Sequence, residues 1–76
     1  MVMTLVKYEV EAILASTQNN KKQLQYLVKW QGYPMNESTW EPWENVQGSR
    51  ELVLAFHRSN PDSPTDARVK RLVDAA

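Results

Sequence analysis

Hydrophobic and polar positions along this chain fall into three short alternating runs followed by two of helical period. Val6, Tyr8, Val10, Ala12 and Leu14 share one parity, with Lys7, Glu9 and Glu11 between them. That is the period of a strand with one face covered. Ile13 breaks the alternation, which predicts a bend in a first strand running from Thr4 to Ser16. Thr17 to Lys22 (TQNNKK) is a polar turn, and Asn19-Asn20 tolerate positive φ, so a hairpin is expected there. The second strand runs from Gln23 to Gln31. Leu24, Tyr26, Val28 and Trp30 lie on one of its faces, with Leu27 and Lys29 on the other. Gly32 and Pro34 bracket a turn at Tyr33, and Ser38 to Glu41 forms a short third strand closed by Pro42.

Trp43 to Gly48 has no period. Ser49 stands where a helix cap is expected, and Arg50 to Arg58 reads as a helix. Leu52, Val53 and Phe56 give that helix one apolar face, with Leu54 off it, and Asn60-Pro61 ends it. Asp62 to Asp66 has the composition of a linker. Ala67 to Ala75 predicts a short amphipathic helix through Val69, Leu72 and Val73, capped by Thr65 or Asp66. The expected fold class is α+β: a small curved three-stranded antiparallel sheet with a helix packed across one end. The expected core is Val10, Ile13, Leu14, Tyr26, Val28, Trp40, Leu52, Val53 and Phe56. Residues 4–59 form the expected domain, and residues 60–76 a linker with the short C-terminal helix.

Length narrows where a site can lie. A single domain of 76 residues buries only about 60% of its unfolded surface, so a surface groove is expected rather than an interior cavity. Nine Lys and Arg balance nine Asp and Glu, which lowers the expectation of non-specific nucleic-acid binding. The chain has no cysteine and a single histidine, His57. Disulfides, thiolate chemistry and cysteine zinc sites are excluded, no metal or cofactor is expected, and a reducing compartment is consistent with this composition. No apolar run approaches the roughly 20 residues of a membrane span, and Met1 to Val6 lacks the pattern of a signal peptide. No two carboxylates are placed as an acid–base pair, so no catalytic residue is expected. The carboxylates read as a solvated face. Arg68, Lys70 and Arg71 form a small basic cluster, read as a solvated helix face or, alternatively, as a weak contact to nucleic-acid phosphate.

The stretch from Tyr26 to Pro42, YLVKWQGYPMNESTWEP, holds two of the three tryptophans and two of the three tyrosines. Trp30 and Tyr33 flank Gln31-Gly32, so the strand end and the turn can aim both rings at one point. Pairing of the first two strands brings Tyr8 beside Trp30. Three ring faces bind a methylated ammonium well, because the faces are negative and the cation is weakly hydrated. Each such contact contributes about 0.5–2 kcal/mol. Glu37, just past the turn, would sit at the rim. On spacing alone, core packing of the same rings is the more ordinary reading.

The residues Lys7-Tyr8-Glu9-Val10-Glu11-Ala12-Ile13, then KWQGYP from Lys29, then Ser38-Thr39-Trp40-Glu41-Pro42 and Asn45, resemble a chromodomain, in particular the heterochromatin protein one type. The resemblance covers roughly Thr4 to Ser59. It implies the curved sheet with a C-terminal helix, a methyl-lysine cage at Tyr8, Trp30 and Tyr33, and an acidic neighbour at Glu37. It also implies a histone tail bound as an added strand. The flanks of that strand would be Thr4, Leu5, Val6 and Lys7 on one side, and Trp43, Glu44, Asn45, Val46 and Gln47 on the other. Asn45 matches a position that hydrogen-bonds the peptide backbone. The implied protein is a nuclear, non-enzymatic reader of the heterochromatin mark on core histone three, monomeric as an isolated domain.

Two residues depart from the heterochromatin protein one pattern: Gln47 stands where an acidic residue flanks the peptide, and Trp43 where the residue is acidic or polar. With no acidic run before Tyr8, attraction to a basic tail is expected to be weaker. The sequence Phe56-His57-Arg58-Ser59-Asn60-Pro61, with the WQGYP variant, resembles the chromodomain at the C-terminus of gypsy-type retrotransposon integrases. That likeness implies a tether between an integration complex and methylated chromatin. The alternative reading is a chromodomain-like module for protein or nucleic-acid contacts without methyl-lysine dependence.

Overall fold

The protein is described by a computed structural model covering residues 8–75. The predicted beginning of the first strand, Thr4 to Lys7, lies outside the described residues. Val10–Gln18 forms strand β1, Leu24–Trp30 forms β2 and Thr39–Pro42 forms β3. They build one sheet in the order β1-β2-β3, with both pairings antiparallel. A helical turn, α1 (Trp43–Val46), follows β3 directly, then a 3₁₀ turn, then the longer helix α2 (Arg50–Ser59). A last helix, α3 (Ala67–Ala75), closes the described chain.

The alternation in β2 works as its pattern predicts: Leu24, Tyr26 and Val28 are buried, and Trp30 is half-buried at the strand's end. In β1 the register skips a residue between Val10 and Ala12, and another between Ile13 and Ala15. A bulge re-aims the side chains that follow it and sharpens the twist, so the bend expected at Ile13 is made by a bulge on either side. Val10 and Ile13 thereby reach the core, whereas Leu14, expected there, is half-buried and outside the core cluster.

Asn19 organises the β1–β2 hairpin through its side chain. Its Oδ1 accepts from the N–H groups of Lys21 and Gln23, both at 2.9 Å, and its Nδ2 donates to Gln23 Oε1 at 2.7 Å. This is the local competition for backbone groups that suits asparagine to turns. The left-handed residue, however, is Lys22 (φ 60°) rather than Asn19 or Asn20.

The two tryptophans of the β3–α1 region exchange their expected roles. Trp40 pairs with Leu27 on the outer face of the sheet and is 46% exposed, while Trp43 is 5% exposed. Register explains this: Thr39 and Glu41 pair with Val28 and Tyr26 on the inner face, which turns Trp40 outward. Trp43 then fills the space beneath Tyr26, at 6.4 Å between ring centroids.

Helix α2 buries Val53, Leu54, Phe56 and His57, one stripe of a helical surface. The stripe lies one position round from the expected face, so Leu54 is inside and Leu52 is exposed. The cause is His57. Its Nε2 shares a 2.7 Å hydrogen bond with the Tyr26 hydroxyl, so a polar ring can occupy the core. Burial holds the His57 pKa below its ordinary value, against a smaller upward pull from Asp66. Burial likewise pushes the Tyr26 hydroxyl well above its usual range; Asp66 adds to that shift and Arg68 opposes it. Ser49 takes the cap position of α2 but makes no side-chain cap bond, because α2 continues straight from the preceding 3₁₀ turn.

Helix α3 packs onto this core. Val69 is fully buried, with Leu72 and Val73 partly buried beside it. Burying one such valine stabilises by about 1.5–3 kcal/mol, whereas the exposed ion pairs of Arg68 with Glu44 and Asp66 contribute little. Apolar burial therefore holds the helix in place. Asp66 is its cap: Oδ1 accepts the Val69 N–H at 3.0 Å. Burial pushes the Asp66 carboxyl up, but that bond and Arg68 outweigh it and leave the pKa below the usual value. Ser16 Oγ and Gln18 Nε2, on β1, donate to the carbonyls of Pro64 and Thr65 at 2.6 and 3.0 Å. The 62–66 stretch is thus tied to the sheet.

Candidate functional site

The end of β2 and the turn after it position two rings. Trp30 pairs with Val10, and the Tyr33 N–H donates to the Trp30 carbonyl at 3.1 Å, closing a tight turn. Gly32 within it has φ 82°, a conformation that costs a side-chain-bearing residue free energy. Across the sheet, the Gln31 N–H donates to the Glu9 carbonyl at 2.8 Å. That bond fixes the residue next to Tyr8 opposite the turn.

Tyr8, Trp30 and Tyr33 therefore meet, although Tyr8 comes from a distant part of the chain. The Tyr8 ring centroid lies 5.9 Å from that of Trp30, with planes at 70°, and 6.0 Å from that of Tyr33, with planes at 32°. The rings line an open cleft of about 390 Å³, together with Glu37, Thr39 and Glu41. Tyr8 is 60% and Tyr33 39% exposed, so both keep surface free toward solvent. Glu37 reaches this cleft because Met35–Glu37 forms a 3₁₀ turn whose last N–H donates to the Pro34 carbonyl at 3.0 Å.

A second, more polar groove of about 630 Å³ adjoins the first. It is lined by Glu9, Val10, Asn45, Gly48 and Ser49, and shares Tyr8, Trp30 and Glu41 with the aromatic cleft. Three carboxylates, of Glu9, Glu37 and Glu41, line the two depressions. Among the described residues no basic side chain does, so the combined surface favours a positively charged guest.

The segment expected to flank an added strand is placed unevenly. Asn45 lines the groove, and its Nδ2 donates to Glu41 Oε1 at 2.9 Å. Trp43 and Val46 turn their side chains into the core, because α1 is helical and presents those two positions to Tyr26 and its neighbours. They have only main-chain groups to offer a guest. Glu44 points instead to Arg68, which donates to Oε2 at 2.9 Å and holds the Glu44 carboxyl below its ordinary pKa. Gln47 is exposed and lines neither depression. Thr4, Leu5, Val6 and Lys7 lie outside the described residues.

Sequence reasoning missed Thr39, Glu41, Gly48 and Ser49. Strand parity puts the first two on the face opposite Trp40, so they are found only once the register of β3 shows Trp40 facing outward. No comparable signal marks Gly48 and Ser49, which reach the groove through the 3₁₀ turn between α1 and α2.

Comparison with known proteins agrees with this architecture. The chromo (chromatin organisation modifier) domain family matches residues 8–59. The human testis-specific chromodomain protein Y 1 is 38% identical over 56 residues, 74% of this chain and 10% of that protein. The probable chromo domain-containing protein LHP1 of rice, Oryza sativa subsp. japonica, is 45% identical over 49 residues, 64% of this chain and 12% of its own. The chromatin-associated protein SWI6 of Cryptococcus neoformans is 36% identical over 62 residues, 82% of this chain and 28% of its own. This chain thus spans only a minor part of each of these relatives. The family segment covers the whole sheet and α2, and on that match this chain belongs to the chromodomain family.

Proposed function

We propose that the aromatic cleft is a methyl-lysine cage, and that the domain is a chromatin reader rather than an enzyme. The observation that carries this reading is the open meeting of Tyr8, Trp30 and Tyr33 beside Glu37 and Glu41. Solvent-facing ring faces and nearby carboxylates attract a bulky, weakly hydrated cation on two counts. The adjoining groove, with Asn45 at its side, is the path for the peptide that carries it. Main-chain hydrogen bonds to an added strand, flanked by Thr4 to Lys7, would hold that peptide, while the cage reads one side chain. A histone tail bearing the heterochromatin mark of core histone three is the partner of choice, which places the domain's work in the nucleus. The likeness of Phe56 to Pro61 to retrotransposon integrases supports a parent protein directed by this domain to heterochromatin.

Affinity is expected near the micromolar range, about −8 kcal/mol. A panel of histone peptides in each methylation state, followed by tryptophan fluorescence, tests the reading. Micromolar binding of the methylated peptide alone supports it. Equal binding of methylated and unmethylated tails would replace it with a protein-interaction module indifferent to the mark.

A further inference from the structure

Trp30 is not held by packing alone. Its indole N–H donates to Thr39 Oγ1 at 2.8 Å, the Thr39 hydroxyl donates to Glu41 Oε2 at 2.8 Å, and Asn45 Nδ2 donates to Glu41 Oε1 at 2.9 Å. The polarity of this chain is fixed at every link. An indole can only donate, so Thr39 must accept and has one proton left to give. An ionised carboxylate can only accept, so Glu41 takes that proton's bond on one oxygen and the Asn45 amide on the other. The four groups come from β2, β3 and α1. They run from a wall of the aromatic cleft to the side of the polar groove, and Glu41 lines both.

We infer that Thr39, itself oriented by Glu41, is a positioning residue that sets the plane of the Trp30 ring. This rests on the cage reading above. An indole at a strand end, with one flank open to solvent, has more than one accessible rotamer. A hydrogen bond at its edge selects one of them, and cation–π attraction depends on the face that this rotamer presents. The Thr39 hydroxyl thereby acts on methyl recognition through the orientation of the indole.

The test compares the parent with Thr39→Val and Thr39→Ser. Valine keeps the shape and suits a strand, so the fold survives; serine restores the hydroxyl. Two quantities are measured: the exchange rate of the Trp30 indole proton with water by NMR, without peptide, and the affinity ratio for trimethylated over unmethylated histone tail. Loss of one hydrogen bond's worth of orientation predicts faster indole exchange and a selectivity ratio lower by about three- to tenfold in Thr39→Val. Thr39→Ser should return both toward the parent. Unchanged exchange in Thr39→Val, or faster exchange with an unchanged ratio, overturns the inference and leaves the cage standing. A parent that ignores methylation overturns the cage and the inference together.

Discussion

Two aromatic clusters of similar make-up stand in this small protein, one closed and one open. In the closed one Tyr26 meets Trp43, Phe56 and His57 at centroid distances of 6.4, 6.4 and 5.6 Å, all edge to face. Each ring edge finds another ring's face, the geometry that the π quadrupole favours, and the one buried hydroxyl finds a ring nitrogen. In the open one Tyr8 stands 5.9 and 6.0 Å from Trp30 and Tyr33, with the spacing of a core and none of its closure. The inter-ring distances therefore do not separate packing from recognition. The separation lies in whether the chain itself covers the remaining ring faces.

Replacing the two tryptophans separates the clusters most sharply. Trp43→Ala should cost about 3–5 kcal/mol of stability, enough to unfold much of a domain this small, as read by denaturant titration. Trp30→Ala, which removes a half-buried ring packed only partly on the core, should lower the unfolding midpoint far less than Trp43→Ala and weaken methylated-peptide binding by about tenfold to more than a hundredfold. If Trp30→Ala unfolds the protein, the open cluster is a second core and the comparison fails. Next in size is Tyr26→Phe, which leaves a buried His57 nitrogen without its partner and should cost about 1–3 kcal/mol.

A pH titration acts on the closed cluster through His57. Its folded pKa is lowered by burial, so the unfolded chain binds the proton more readily, and stability rises with pH. The contribution is fully present above the ordinary histidine range and is lost as pH falls below about 6.5 toward the lowered folded value. Asp66, whose folded pKa is below the usual value, would weaken the fold only at lower pH, which keeps the two effects apart. Thermal melts between pH 7.5 and 5 should show the decline, and His57→Phe should flatten it. The smallest expected effect is at the rim of the open cluster. Glu37→Gln should reduce methylated-peptide affinity by about twofold at low salt, and by less once salt screens the charge.

The sheet and helices were legible because their periods are strong: β2 alternates cleanly, and α2 has a dense apolar stripe between Ser49 and Asn60-Pro61. The break at Ile13 predicts a bend but not its bulges, and carrying the parity of Val10 across them puts Leu14 wrongly inside. The face of α2 is not legible, because a histidine counts as polar until its partner Tyr26 is known. Trp40 and Trp43, three residues apart, could not be sorted without the register of β3. At the site, Tyr8, Trp30, Tyr33 and Glu37 were named from the sequence, and they line one cleft in the structure. Thr39 and Glu41 give no comparable signal, because hydroxyls and carboxylates on a short edge strand ordinarily face water.

The ownership of the cleft's walls has a mechanical consequence. Trp30 and Tyr33 sit on one tight turn, so their relative aim is inherited from a few torsion angles around Gly32. Tyr8 lies just before β1 and is registered against them through the main-chain link from Gln31 to Glu9. Two walls of the aperture thus share one turn, while the third is tied to it by a single main-chain hydrogen bond. A guest slightly too bulky for the notch would push the segment carrying Tyr8 outward before it deformed the turn.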